Sequence, residues 1–301
     1  AGCVVTALSF KTIKTKIIKV KNTVAFLNHF AKLKREQSSA NIIAVTGSAG
    51  KTSLKNLLKD LLKNFGKTYS SPKSFNNHYG VPISLSNLNH NDKFGVFEVG
   101  MSKAGEIKKL SNMIKPHIGV ITNIGEAHIE NFKNINGIAN AKSEIIDKIK
   151  KGGAIVLNKD DKFYNFLYKK AKLLNLKICS FGIQKKADIF LEKLIRTDEA
   201  SELYLNINGR KISFKIKDLN VYNVLAAIAV LNILKIDLKK IKTILKNLEL
   251  SEGRGKKHLI SRYNKKFKLI DESYNANPLS VKNAIKNLNQ IKKKKFKKYL
   301  L

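Results

Sequence analysis

Ile42-Ile43-Ala44-Val45-Thr46-Gly47-Ser48-Ala49-Gly50-Lys51-Thr52 decides how this chain is read. An apolar, β-branched run enters a turn bracketed by two glycines, and a helix-forming run from Ser53 through Leu57, Leu58, Leu61 and Leu62 leaves it. That order is strand, phosphate loop, helix. Glycines let backbone N–H groups converge on an anion, and the helix N-terminus adds partial positive charge. Lys51 is placed to reach terminal phosphates, and the Thr52 hydroxyl to hold Mg²⁺. The nucleotide-holding set is therefore Thr46, Gly47, Ser48, Ala49, Gly50, Lys51, Thr52 and Ser53. The general pattern has a glycine five positions before the second one; Val45 stands there and Gly47 serves instead, so the loop is a shorter variant. A chance Gly-Lys-Thr in a lysine-rich chain is the competing reading, and the strand and helix around it argue against that.

With 301 residues, 43% of them hydrophobic, the chain is long enough for one large or two ordinary domains with real cores. The formal charge of +36 would attract polyanions. Yet only Arg35, Arg196, Arg210, Arg254 and Arg262 among the 58 basic residues are arginine, and the lysines are spread along the whole chain. Base reading and phosphate forks favour arginine, so no specific nucleic-acid partner is expected. Cys3 and Cys179 are the only cysteines, which argues against a disulfide scaffold and fits a reducing cytoplasm. No apolar run approaches the roughly 18 residues that span a bilayer, so no membrane insertion is expected.

Ahead of the phosphate loop, residues 3–6 and 17–20 read as strands and residues 24–34 as a helix. After its helix, residues 67–70 read as a short strand and residues 71–82 as a polar loop holding Ser74-Phe75-Asn76-Asn77-His78-Tyr79-Gly80, whose Asn and His density suggests a substrate-facing role. Residues 94–99 form a strand ending at Glu98, where α/β proteins place a metal ligand; a salt-bridged or capping Glu is the alternative. Residues 118–122 are a further strand and lead into Asn123-Ile124-Gly125-Glu126-Ala127-His128. A lone His is more often structural, but this one follows a strand end as Glu98 does.

The helix read over residues 135–150 carries an anomaly. Its apolar stripe runs Ile135, Ile138, Ile145 and Ile149, and helical spacing puts Lys142 inside it. Burial would lower the pKa of that amine and leave it neutral and nucleophilic, able to take up CO₂. The carbamate so formed would bind Mg²⁺ as a carboxylate does, with His128 as companion. A lysine snorkelling at the edge of the stripe is the competing reading.

Residues 154–157 and 176–181 read as strands around a helix at 161–174. Period-two alternation over 202–207 and 211–216 about Asn208-Gly209 is a hairpin signal, hence a β-rich insert. Helices follow at 221–234, with Asn223 near the start, and at 238–248. Strands at 258–263 and 267–271 come next, and then a helix from about Leu279 behind Pro278. The fold class is α/β: a phosphate-loop central domain with a mostly parallel sheet flanked by helices, a small antiparallel insert, and partial domains at both ends.

Together Thr46 through Thr52, Glu98, His128 with Lys142 fourteen residues on, Asn223, Gly253-Arg254-Gly255 and Asp271 resemble the Mur ligases, which build the peptide of the bacterial cell-wall precursor. Ser74-Phe75-Asn76-Asn77 and Asp271-Glu272-Ser273-Tyr274-Asn275-Ala276-Asn277-Pro278 resemble the branch that adds a D-alanyl-D-alanine dipeptide. The similarity covers roughly residues 15–301. It implies ATP-dependent amide formation through an acyl phosphate, with UDP-N-acetylmuramoyl-tripeptide and D-alanyl-D-alanine as partners, ATP and two Mg²⁺ as cofactors, and a monomeric enzyme. It implies that Lys51 and the loop hold phosphates, that Thr52 and Glu98 hold one Mg²⁺, and that His128 with carbamylated Lys142 holds the other. Asn223, Arg254 and Asp271 would contact the nucleotide, and Asn76, Asn77 and His78 the muramoyl peptide.

The departures are informative. Ala49 replaces a polar residue common in this loop, tolerable where backbone amides do the holding. Residues 1–39 hold only the end of the family's uridine-binding domain, without an Asp-Ser-Arg-like signature. Residues 40–271 are the ATP-binding domain, and 272–301 only the start of the C-terminal one. The expectation is an internal fragment of a longer ligase, inactive or slow alone. A ligase adding a single amino acid, or a non-catalytic nucleotide- or polyanion-binding protein, are the rival readings.

Overall fold

A computed structural model describes residues 3–9, 15–184, 186–197, 200–217, 219–248, 253, 255–262, 265–274, 278–289 and 298–299. Strands β1 (Val4–Thr6) and β2 (Ile17–Lys19) pair in parallel ahead of helix α1 (Thr23–Gln37). The chain then alternates through β3 (Asn41–Thr46), α2 (Lys51–Leu62), β4 (Thr68–Ser70), α3 (Gly80–Ser86), β5 (Phe94–Glu98), α4 (Glu106–Ile114) and β6 (Ile118–Ile121). It continues through α5 (Ile135–Ser143), β7 (Ala154–Asn158), α6 (Tyr164–Leu173) and β8 (Lys177–Gly182). Three strands follow, β9 (Ile189–Arg196), β10 (Ser201–Ile207) and β11 (Arg210–Ile216), then helices α7 (Val221–Ile233) and α8 (Ile241–Asn247). The hairpin β12 (Lys256–Arg262) and β13 (Lys265–Asp271) and helix α9 (Pro278–Asn289) complete the described elements.

Among these residues one nine-stranded sheet runs β11-β10-β9-β8-β7-β6-β3-β5-β4. It is parallel from β4 to β9 and antiparallel from β9 to β11, the mostly parallel sheet and antiparallel insert that the alternation pattern predicts. Asn208 and Gly209, both at positive φ (49° and 86°), make the two-residue turn between β10 and β11. Ile43 and Val45 of β3 join the core with α2, α7 and α8, whereas Ile42 and Ala44 join the one with α1, α3, α4, α5 and α6. Burial on both faces explains why β3 reads as a continuous apolar run. Among the described residues no helix is long and apolar enough to cross a membrane.

Three elements depart from the sequence reading. Helix α3 occupies part of the stretch read as loop. Asn77 fixes the turn that enters it, its Oδ1 accepting from Gly80 N at 2.9 Å, and Val81 and Leu85 bury their side chains. So short a helix has little propensity of its own and depends on tertiary packing. Strand β9 had no clean alternation to reveal it; it pairs with both β8 and β10. The helix expected over 135–150 ends at Ser143, and Ile146–Lys148 forms a 3-10 turn. Contacts tighten there, with Glu144 N bonded to Ala141 O. The stripe survives the break: Ile138, Lys142, Ile145 and Ile149 are all buried.

Two side chains brace the sheet and its helical layer. Buried Arg35 of α1 donates through Nε to Ile114 O (2.6 Å) and through Nη2 to Lys115 O (2.9 Å), satisfying carbonyls that the end of α4 leaves open. His117, at the entry to β6, accepts the Ile42 N–H on Nδ1 at 2.9 Å, while its own N–H and C=O bond Ile42 O and Ala154 N. Its pKa is lowered from 6.5 to about 4, first by burial and then by the charges of Lys150 and Arg35. The folded state therefore binds this proton less readily than the unfolded chain. Stability from neutral His117 is complete above pH 6.5 and falls as pH drops through about 4. Discounted for its half-exposed position, the loss should be roughly 1–2 kcal/mol. Urea midpoints between pH 7 and pH 4 should fall more for the parent than for His117→Gln; parallel curves would refute the assignment.

Candidate nucleotide and metal site

The loops after β3, β5 and β6 meet at the carboxyl ends of these neighbouring strands, where the chain leaves β3 toward one sheet edge and later returns to its other side. Such a switch point leaves a crevice for ligands in open α/β sheets. Residues 47–50 lie at that switch point. Gly47 has φ 146° and lies so close to Thr122 that an added Cβ would come 1.9 Å from Oγ1. Gly50 (φ 83°) caps α2, and a Cβ there would come 2.9 Å from Asn223 Oδ1, so α7 delivers Asn223 directly against the loop. Asn220 caps α7 by accepting from Asn223 N.

The loop is pinned from β6. Ser48 N bonds Asn123 O at 3.0 Å, and Ser48 Oγ both donates to Gly125 O and accepts from Gly125 N. The Asn123 amide accepts from Ala49 N at 2.9 Å and donates to Ala49 O at 3.1 Å, and Thr122 Oγ1 donates to the same oxygen at 2.6 Å. The N–H groups of Ser48 and Ala49 are thus engaged inside the protein. An anion would be met mainly by amides from Gly50 into the first turn of α2, which have no acceptor inside the helix. Asp161 accepts from Ile124 N at 2.7 Å and steadies the pinning segment. Thr122 and Asn123 were not singled out as site residues from the sequence; the signal was available in their position at the end of the strand beside the phosphate-loop strand.

Lys51 Nζ folds back onto Gly47 O at 2.9 Å, and Lys142 Nζ reaches that same oxygen at 3.2 Å. Lys142 is 2% exposed, and its pKa is held well below 10.5 by burial and, second, by the Lys51 charge. Burial rather than snorkelling is the outcome for this stripe position. Thr52 Oγ1 donates to Glu98 Oε2 at 2.6 Å, while Asn76 Nδ2 donates to Glu98 Oε1 at 2.7 Å and Glu98 N to Ser71 Oγ at 3.2 Å. Glu98 is 1% exposed. A buried carboxylate and a hydroxyl in contact are hard oxygen ligands suited to Mg²⁺, which takes few protein ligands and completes its shell with phosphate and water. Thr46 Oγ1 is buried with no partner among the described residues, a group that a bound oxyanion or water would satisfy. The residues present fit a nucleotide phosphate with one cation.

Other sequence-derived candidates are placed differently. His128, with φ 63°, carries a side chain 48% exposed and lies 3.7 Å from Glu130; among the described residues no hydrogen bond joins it to Lys142 or Glu98. Nor do three or more His, Cys, Asp or Glu side chains cluster as a metal site among them. Asn77 accepts the Gly80 N–H ahead of α3, and the His78 ring lies tilted against Tyr79 with centroids 4.1 Å apart. Ser53 lies half-buried in the first turn of α2. Asp271 closes β13, where its carboxylate accepts from Gly253 N and from Ser273 N and Oγ. These bonds, that of the Ser273 hydroxyl foremost, lower its pKa. Arg254 and Asn275 to Asn277 lie outside the described residues. Tyr274 Oη meets Ser74 Oγ at 2.6 Å and brings the segment after β13 to the site.

The Mur ligase middle domain model matches residues 45–231. A UDP-N-acetylmuramoyl-tripeptide–D-alanyl-D-alanine ligase of Buchnera aphidicola is 35% identical over 277 residues, covering 91% of this chain and 59% of the relative. The Bacillus subtilis protein of the same name is 30% identical, covering 89% of this chain and 57% of its own length. The chain thus spans about 60% of the length of the curated relatives it matches. Among solved structures, MurF from Acinetobacter baumannii superposes with TM-score 0.85 at 29% identity over 95% of this chain and 62% of that one. MurF ligase from Thermotoga maritima, solved in complex with ADP, superposes with TM-score 0.80 at 26% identity over 96% of this chain and 66% of that one. With the family model covering most of the chain and the phosphate loop, Glu98 and Lys142 gathered at one crevice, the chain belongs to the Mur ligase family.

Proposed function

We propose that this chain is the nucleotide-binding part of an ATP-dependent ligase that joins D-alanyl-D-alanine to UDP-N-acetylmuramoyl-tripeptide in peptidoglycan precursor synthesis. In this reading ATP phosphorylates the terminal carboxylate of the tripeptide, the dipeptide amine attacks the acyl phosphate, and the products are an amide, ADP and phosphate. Relatives that carry this name along nine-tenths of the chain support the substrate pair. The observation that carries the reading is the contact of Thr52 with buried Glu98 at the start of α2, beside Lys51.

In the proposed roles, Lys51 and the first-turn amides of α2 hold the β- and γ-phosphates, and Thr52 and Glu98 hold one Mg²⁺. That cation, when bound, neutralises charge on the transferring phosphoryl group. Asn76 fixes the rotamer of Glu98. Asn223, Arg254 and Asp271 serve the nucleotide, and Asn77 and His78 face the muramoyl peptide. Lys142, held toward its neutral amine, would take up CO₂ with loss of a proton, and its carbamate with His128 would hold a second Mg²⁺. Residues 1–39 and 272–301 belong to the flanking domains of a monomer working in the cytoplasm, where its nucleotide substrates are made.

Calorimetry of Mg²⁺-ATP binding tests the reading. The parent chain should bind, and Lys51→Ala should bind about 30-fold more weakly or worse, the worth of one charge-assisted contact of about 2 kcal/mol. Equal binding by both would remove Lys51 from the site and the proposal with it.

A further inference from the structure

A row of hydroxyls runs outward from the buried carboxylate: Glu98 Oε2 to Thr52 Oγ1 at 2.6 Å, Thr52 Oγ1 to Ser74 Oγ at 3.5 Å, and Ser74 Oγ to Tyr274 Oη at 2.6 Å. In the first bond the Thr52 hydroxyl donates and the Glu98 carboxylate accepts. Thr52 therefore has lone pairs left to accept from Ser74. Ser74, donating inward, accepts from the Tyr274 phenol. In that order the protons point toward Glu98, and the 2.6 Å Ser74–Tyr274 contact allows either hydroxyl to donate.

This order cannot persist when one cation takes both Glu98 and Thr52. The Thr52 lone pairs and the carboxylate oxygen then face the same positive charge, and the hydroxyl proton is driven away from it. Ser74 Oγ is the other hydroxyl that the structure places within reach of Thr52. To accept there, Ser74 must turn its own hydroxyl hydrogen to Tyr274 Oη, whose hydroxyl hydrogen rotates away from Ser74. No bond to hydrogen is broken; three hydroxyls rotate.

We propose that Ser74 is a positioning residue for the cation, orienting the Thr52 hydroxyl toward it, and that the Ser74–Tyr274 contact couples cation binding to docking of the segment that follows β13. The inference rests on the nucleotide reading above and adds residues to it. Ser74 acts through Thr52 and leaves the phosphate cradle untouched, so its removal should alter the Mg²⁺ dependence of nucleotide binding rather than the binding itself. Coupling is reciprocal: if docking of Tyr274 favours the cation, the cation favours docking.

The experiment is calorimetry of ADP binding to the full chain, with and without Mg²⁺, for the parent, Ser74→Ala, Ser74→Thr and Tyr274→Phe. Hydrogen exchange of the peptide spanning residues 265–281 is followed alongside. In the parent, Mg²⁺ should tighten ADP binding and slow exchange in that peptide. Ser74→Ala should reduce the Mg²⁺ enhancement by about 3- to 10-fold, the worth of one neutral hydrogen bond, with metal-free binding changed by less than about two-fold. Ser74→Thr should restore the enhancement, and Tyr274→Phe should abolish the Mg²⁺-dependent slowing of exchange. If Ser74→Ala weakens ADP equally with and without Mg²⁺, or Ser74→Thr fails to rescue, the residue is merely structural and the inference is overturned while the nucleotide reading stands. If the parent binds no ADP under either condition, the nucleotide reading itself falls.

Discussion

Gly47→Ala should unfold the phosphate loop and abolish nucleotide binding. An alanine Cβ would lie 1.9 Å from Thr122 Oγ1 and 3.1 Å from Thr122 N, at φ 146°, a region an L side chain rarely adopts. Thr122 cannot simply turn away, because its hydroxyl holds Ala49 O at 2.6 Å and its N–H holds Thr46 O. Relief would require β3 and β6 to separate at their carboxyl ends, or the loop to leave Asn123. The combined strain and lost bonds should lower stability by roughly 2–4 kcal/mol. Gly105→Ala is the matched control: φ is 85°, but nothing lies within 4 Å of the added Cβ. It should lose only about 1 kcal/mol, the conformational term alone. Urea unfolding of both, with ADP calorimetry, gives the comparison. Equal losses would show that Thr122 does not dictate the loop conformation.

Lys142→Met should make the protein more stable and less able to work. The ammonium form of Lys142 is buried beside Lys51, with Gly47 O as its hydrogen-bond acceptor. Its pKa in the folded state lies below the unfolded value of about 10.5, so between these two values the unfolded chain binds more protons and stability rises with pH. At pH 7 the lysine is a net liability, and an apolar side chain of similar length should recover about 1–4 kcal/mol. The gain should shrink as pH approaches 10, where the unfolded lysine also begins to lose its proton. Under the proposed mechanism the same variant, placed in a complete ligase, loses the second cation and nearly all turnover. Urea midpoints at pH 7 and pH 10 test the first part. A destabilised Lys142→Met at pH 7 would mean that the amine is already compensated, as a carbamate facing Lys51 would be.

Much of this molecule could be read without coordinates, for a physical reason: local rules and tertiary demands agree along its central part. Residues 42–45 are apolar without alternation because β3 is buried on both faces, and Asn208-Gly209 forms its hairpin because its backbone angles match the strand twist. Helical periodicity alone put Lys142 in a buried stripe, and the stripe held even though its helix stops at Ser143. The phosphate-loop motif likewise marked Lys51 and Thr52, and a strand end marked Glu98. Long-range contacts were decided only by the fold. Asn123 holds Ala49 across 74 positions, Ser74 meets Tyr274 across 200, and Asn223 comes to Gly50 because α7 packs on α2. No local pattern encodes such pairings, since they depend on strand order and on which helices share a face of the sheet. The same holds for α3 and β9, short elements whose propensities are weak: α1 supplies most of the burial of α3, and β8 and β10 the hydrogen bonds of β9.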